Sequence, residues 1–100
     1  MITEPLDQKA INEALKTLSE WSFDNDALTK TFKLKNFRQA IAFMVAVAFE
    51  AEELNHHPSL HNVYNKVEIH LNTHDSGSKV TQKDVALAQK IEAIAQSCSK

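Results

Sequence analysis

The chain is predicted to be an α+β protein: a four-stranded antiparallel sheet with three helices packed on one face, in the order α-β-β-α-β-β-α. Three observations point there. Two pairs of short alternating segments are each joined by polar turn residues. Three longer segments carry apolar residues at helical spacing. One hundred residues without internal repeats or a low-complexity linker read as a single domain, residues 1–100.

The first helix is expected between Thr3 and Leu18, where Leu6, Ile11, Ala14, Leu15 and Leu18 recur at helical spacing. Thr3 is a candidate N-cap, and Pro5 is tolerated in a first turn. Trp21 to Lys35 reads as a hairpin turning at "DNDA". Leu28, Phe32 and Leu34 share one strand face with Lys30, and Thr29, Thr31, Lys33 and Lys35 share the other. Asn36 can cap the long helix that follows, with Gln39 at the capping-box position.

That helix contains "AIAFMVAVAF", Ala40 to Phe49, ten apolar residues in a row. A membrane span needs about 20, so no membrane role is expected. Phe37, Ile41, Met44, Ala48 and Ala51 form one stripe; Phe43, Val45, Val47 and Phe49 point elsewhere. Two apolar surfaces need two partners. One is the sheet, and the other is another helix of the chain or, more simply in so short a protein, a second copy.

Pro58 is expected to end the helix by disfavouring helical geometry at His57. "SLHNVY" and "VEIHLNTH" form a second hairpin, turning at "NK". Val67, Ile69, Leu71 and Thr73 lie on one side of its second strand, with Glu68, His70, Asn72 and His74 on the other. The last helix opens on a capping box, Thr81 with Asp84, inside a hydrophobic staple of Val80 and Val85. Leu87, Ala88, Ile91, Ile94 and Ala95 form its apolar face.

Net charge is −2 without a basic block, which argues against direct nucleic-acid binding. Cys98 is the only cysteine, which fits a reducing, cytoplasmic compartment, and "MITEPLDQKA" has no signal-peptide pattern.

Five histidines are many for this length. His56 and His57 follow "EAEEL" and precede Pro58, so their rings should point different ways. Glu52, four residues before His56, is expected on the same side, where a carboxylate can fix an imidazole. His74 lies near a loop at the end of a strand. Three imidazoles and a carboxylate, with no activated serine or cysteine, suit proton transfer near neutral pH. The same residue types could instead ligate a metal. His61 and His70 read as strand residues on a wet face, Glu50 and Glu53 as solvated surface, and Asp84 as a structural cap.

Glu52, His56-His57-Pro58, Tyr64, His74 and Asp84 fall at a spacing that resembles the pterin-4a-carbinolamine dehydratases, also called 4a-hydroxytetrahydrobiopterin dehydratases. The resemblance extends through "NVYNKV", "THD", Trp21, "FKLKNF" and the "FM" of the long helix. It implies a lyase that dehydrates a 4a-hydroxytetrahydropterin to quinonoid dihydropterin during tetrahydrobiopterin recycling, without metal or cofactor. It implies His56 and His74 as the acid–base pair, His57 chiefly as a binding residue, and Glu52 as the supporting acid. Pterin contacts would come from Asn55, His56 and His57 on one side and from Asn72, Thr73, His74 and Asp75 on the other. Asn55, Asp75 and Asn72 stand where familiar animal members have Asp, Glu and Ser, which bears on the preferred C6 side chain. The resemblance also implies homodimers or homotetramers joined through helices. A non-catalytic module that binds a partner through its long helix is the alternative.

Overall fold

The computed structural model describes residues 4–98. Thr3, the expected first cap, lies outside them. Helix α1 is Gln8–Leu15, shorter than expected, and Asp7 caps it by accepting a hydrogen bond from the Ala10 N–H at 2.8 Å. Aspartate is a better cap than threonine. Ahead of it the chain is extended: Pro5 bridges Thr81, and the Leu6 N–H donates to the Val80 carbonyl at 2.8 Å. Pro5 and Leu6 thus tie the N-terminal segment to the start of the last helix.

Strands β1 (Ser22–Asp24) and β2 (Ala27–Lys33) form the first hairpin. Its two turn residues, Asn25 and Asp26, both have left-handed backbones, which short polar side chains tolerate and a right-twisted hairpin requires. Strands β3 (Ser59–Val63) and β4 (Lys66–Leu71) form the second, turning at Tyr64 and Asn65, one residue earlier than expected. The sheet is antiparallel throughout, in the order β1-β2-β4-β3, with Phe32 opposite Val67 and Leu28 opposite Leu71.

β4 stops at Leu71 rather than running to His74. The Thr73 N–H bonds the Lys79 carbonyl, and the Thr73 carbonyl accepts from Ser76 and Ser78. The loop therefore folds back on Thr73. His74 opens a short 3-10 turn, His74–Ser76, closed by Gly77 with φ of 74°.

Helices α2 (Phe37–Glu53) and α3 (Gln82–Cys98) cover the sheet together with α1. Asn36 caps α2 as expected, accepting from the Gln39 N–H at 2.9 Å. Leu28, Val67, Ile69 and Leu71 of the sheet, Ala40, Phe43 and Val47 of α2, and Leu87, Ala88 and Ile91 of α3 are wholly buried in one core. The Phe43 ring lies 5.0 Å from that of Phe32, which meets Trp21 edge-on at 6.0 Å. The two faces of α2 divide differently from expectation. Ala40, Phe43, Val47 and Ala51 go inward, while Phe37, Ile41, Val45 and Phe49 stay exposed. Apolar residues all round a helix give its phase no contrast, so only packing decides which stripe turns in.

Lys30 is the polar exception on the inner face of β2. Its ammonium pairs with Glu92 of α3, donates to the Ser19 carbonyl and lies over the Phe32 ring. Glu92 also accepts from the Trp21 indole N–H at 2.7 Å. The charge is thus accommodated by a partner at the rim of the core.

On the open face of the sheet, the His70 Nε2 and Glu68 Oε1 atoms are 2.6 Å apart, and His61 lies opposite Glu68 in register. The His70 hydrogen bond holds the Glu68 carboxyl below its ordinary value; desolvation opposes it, and the charges of His70 and His61 add to it. A carboxyl lowered in the folded state contributes stability above its unfolded value, lost as pH falls through the folded one. His70→Gln is expected to move the midpoint of acid unfolding, followed by circular dichroism, to higher pH. An unmoved midpoint would count against this coupling.

Candidate functional site

The C-terminal end of α2 determines where the two adjacent histidines go. Glu53 is the last residue of α2, Leu54 is its C-cap, and Asn55 takes a left-handed backbone with φ of 52°. The His56 N–H bonds the Ala51 carbonyl at 2.9 Å and the Asn55 N–H bonds the Glu52 carbonyl at 3.1 Å. This paired closure is a Schellman motif, and asparagine is the residue after glycine best suited to its left-handed position. The helix therefore ends at Glu53, closed by Leu54 and Asn55 ahead of Pro58, and not through the proline as expected.

That turn also changes the partner of Glu52. Four residues of unbroken helix would have stacked Glu52 under His56. The left-handed residue breaks the helical path first, so Glu52 Oε1 meets His57 Nε2 instead, at 2.8 Å and largely in solvent. His56 turns the other way and is buried. Its Nε2 lies 2.5 Å from Asp84 Oδ1, twenty-eight positions along the chain. The expectation that the two rings diverge holds, with the helix terminus as the cause.

Asp84 is the cap that the sequence suggested and more. It sits in the first turn of α3, wholly buried. Its Oδ2 accepts from the Thr81 N–H at 2.8 Å, closing the capping box, and from the Thr73 hydroxyl at 2.9 Å. Thr73 and Thr81 hydroxyls are 2.7 Å apart, and the Lys83 N–H donates to Thr81 Oγ1 at 3.2 Å. Val80 and Val85 are buried on either side. One carboxylate thus joins the end of α2, the segment after β4 and the start of α3.

These three segments enclose a cleft of about 240 Å³ lined by Asn55, His56, His57, Asn72, Thr73, His74, Asp75 and Lys83. All seven residues expected to contact a pterin border it. Glu52, the eighth candidate, stands behind His57. His74 is exposed, and no side-chain partner engages its ring among the described residues. Asn55 and Asn72 contribute neutral hydrogen-bonding groups beside the imidazoles, while the Thr73 hydroxyl is already engaged by Asp84 and Thr81. Such a wall can hold a flat polar heterocycle and exchange protons with it.

Lys83 was not anticipated. It lies in the first turn of α3, where a cation faces the positive end of the helix dipole. That misplacement was its one local signal. Among the described residues, no three histidine, cysteine, aspartate or glutamate side chains are grouped to hold a metal ion. An apolar groove of about 460 Å³, lined by Ala48, Phe49, Ala51, Glu52, His57, Pro58 and Leu60, runs from His57 onto the exposed face of α2. No helix of the described residues is long and apolar enough to cross a membrane.

The family model described as Pterin 4 alpha carbinolamine dehydratase matches residues 4–94. A protein of Opitutus terrae with the provisional name pterin-4-alpha-carbinolamine dehydratase is 52% identical over 89 residues, covering 89% of this chain and 92% of its own. A protein of Rhizorhabdus wittichii with the same provisional name is 43% identical over 98 residues, covering 96% and 100%. Among solved structures, a transcriptional coactivator/pterin dehydratase of Brucella melitensis superposes with a TM-score of 0.88 at 41% identity, over 92% of this chain and 99% of that one. A pterin dehydratase-like protein described as a RuBisCO assembly factor in the alpha-carboxysome gives 0.61 at 26% identity, over 75% and 86%. With the match spanning nearly the whole chain and identity reaching one half, this protein belongs to the pterin-4a-carbinolamine dehydratase family.

Proposed function

We propose that the protein dehydrates a 4a-hydroxytetrahydropterin to quinonoid dihydropterin and water, as a lyase in the cytoplasmic recycling of tetrahydrobiopterin. The observation that carries this reading is the convergence of Asn55, His56, His57, Asn72, Thr73, His74 and Asp75 on one cleft, from segments separated in sequence.

The chemistry needs one proton delivered and one removed. The C4a–O bond breaks with its electron pair on oxygen, which takes a proton and leaves as water. The N5–H bond gives its electrons to a new C4a=N5 double bond, and its proton goes to a base. His56 and His74 are the acid–base pair, and solvent restores their starting protonation between turnovers. His57, exposed at the rim and steadied by Glu52, binds and orients the ring. No group on the protein needs to change oxidation state. A generated 4a-hydroxytetrahydropterin should lose water faster with the protein than without it, with a chelator present in both samples. Equal rates would remove the proposal.

His57→Ala is expected to raise KM several-fold while leaving kcat within about threefold, the pattern of lost ground-state and transition-state binding together. A fall in kcat at constant KM would instead make His57 a proton-transfer group.

The exposed stripe of Phe37, Ile41, Val45 and Phe49 supports association of copies through α2 into homodimers or homotetramers. Sedimentation at micromolar concentration should show more than a monomer, and a monomer there would leave the stripe without this explanation. The same stripe favours a second reading, a non-catalytic module that binds another protein through α2; one pterin dehydratase-like relative is described as a RuBisCO assembly factor. Full dehydratase activity in a variant with polar residues at Ile41 and Val45 would separate the site from the surface.

A further inference from the structure

We infer that Asp84 is a positioning residue that makes His56 the base of the pair, by holding its ring in the tautomer that presents Nδ1 to the cleft. This rests on the dehydratase reading for the reaction, but not for the geometry. The hydrogen bonds around Asp84 can be assigned one by one. The Thr81 backbone N–H can only donate, so Asp84 Oδ2 must accept there. A hydroxyl has one proton, and that of Thr73 goes to the same oxygen. The Thr81 hydroxyl must then donate to Thr73, and it accepts from the Lys83 N–H. Oδ1 is left facing His56 Nε2 at 2.5 Å. A carboxylate oxygen accepts, so Nε2 carries the proton, and in the neutral ring Nδ1 carries the lone pair.

The lone pair of Nδ1 is where the N5 proton goes as the C4a=N5 bond forms. His74, with no carboxylate on its ring among the described residues, is left to deliver the proton to the departing hydroxyl. Thr73 acts at one remove. Its hydroxyl is turned into the Asp84 network while the residue borders the cleft, so it couples the His56 wall to the His74 wall.

Asp84→Asn tests this sharply. Its amide oxygen has to take the Oδ2 place to accept from the Thr81 N–H. The NH₂ group then faces His56 Nε2, which must become an acceptor, and the ring proton moves to Nδ1. Nitrogen-15 NMR of the neutral ring should show Nε2–H in the wild type and Nδ1–H in Asp84→Asn, with kcat down about 100-fold or more. A wild-type ring found as Nδ1–H would overturn the assignment, whether or not the protein is a dehydratase. A flipped tautomer with unchanged kcat would overturn the role of His56 as base. The wild-type spectrum needs no variant. Should D84N not fold, Thr73→Val takes its place for the second half: kcat should fall several-fold at constant KM. A raised KM at constant kcat would make Thr73 a substrate contact and overturn its positioning role.

Discussion

His74→Ala should lower kcat for dehydration by about 100- to 10,000-fold, the range that general acid–base groups contribute. The size of the effect follows from the chemistry, because hydroxide is a poor leaving group and water a good one. The structure makes the experiment clean. His74 begins the 3-10 turn after β4, exposed, with only its backbone carbonyl used to close the turn at Gly77. Removing the ring opens no cavity and orphans no buried partner, so stability should stay within about 0.5 kcal/mol. Rates must be read above the spontaneous dehydration of the same substrate. A variant that keeps its kcat while remaining folded would sink the role given to His74, and with it the division of labour across the cleft.

Phe43→Ala should cost about 3–5 kcal/mol of stability. Phe43 is wholly buried on the inner face of α2 and its ring meets Phe32 of the sheet at 5.0 Å. The core it belongs to is shared by the sheet, α2 and α3, and cannot close over the missing ring without moving either α2 or the sheet. Set against a total of about 5–15 kcal/mol for a natural protein, the loss would leave the chain marginal. Urea unfolding should show a lower midpoint at an unchanged slope. Phe49→Ala, on the exposed stripe of the same helix, is the internal control, and a monomer should barely notice it. Equal losses in the two variants, measured at a concentration where both are monomeric, would mean that the two stripes face the opposite ways.

The difference between those two phenylalanines was hard to see in the sequence. Both lie in a run that is apolar on every side, and the helical period carries no phase when every position is greasy. Elsewhere contrast was available. The alternation in β2, the Asn25-Asp26 turn, the Asn36 cap and the Thr81–Asp84 capping box are local signals, and the structure keeps them all. The cleft was half legible. Its two walls show in the residues that carry the family resemblance, but the spatial meeting of Asn55 and Asn72 needs the sheet order and the docking of α3. Helical spacing alone pairs Glu52 with His56, but α2 stops at Glu53 and Glu52 meets His57 instead. Asn55 carried the missing hint, since asparagine is among the few residues that accept the left-handed end of a helix. The contact of His56 with Asp84 had no local trace. It exists because two helix ends and a folded-back loop arrive at one point.

The single tryptophan offers a practical gain of another kind. Trp21 is buried, and its indole N–H is fastened to Glu92 of α3 from a position just ahead of β1. Its emission therefore depends on the hairpin and the last helix staying docked. Intrinsic fluorescence becomes a built-in gauge of whole-chain integrity, available for every substitution at the histidines without adding a dye or label.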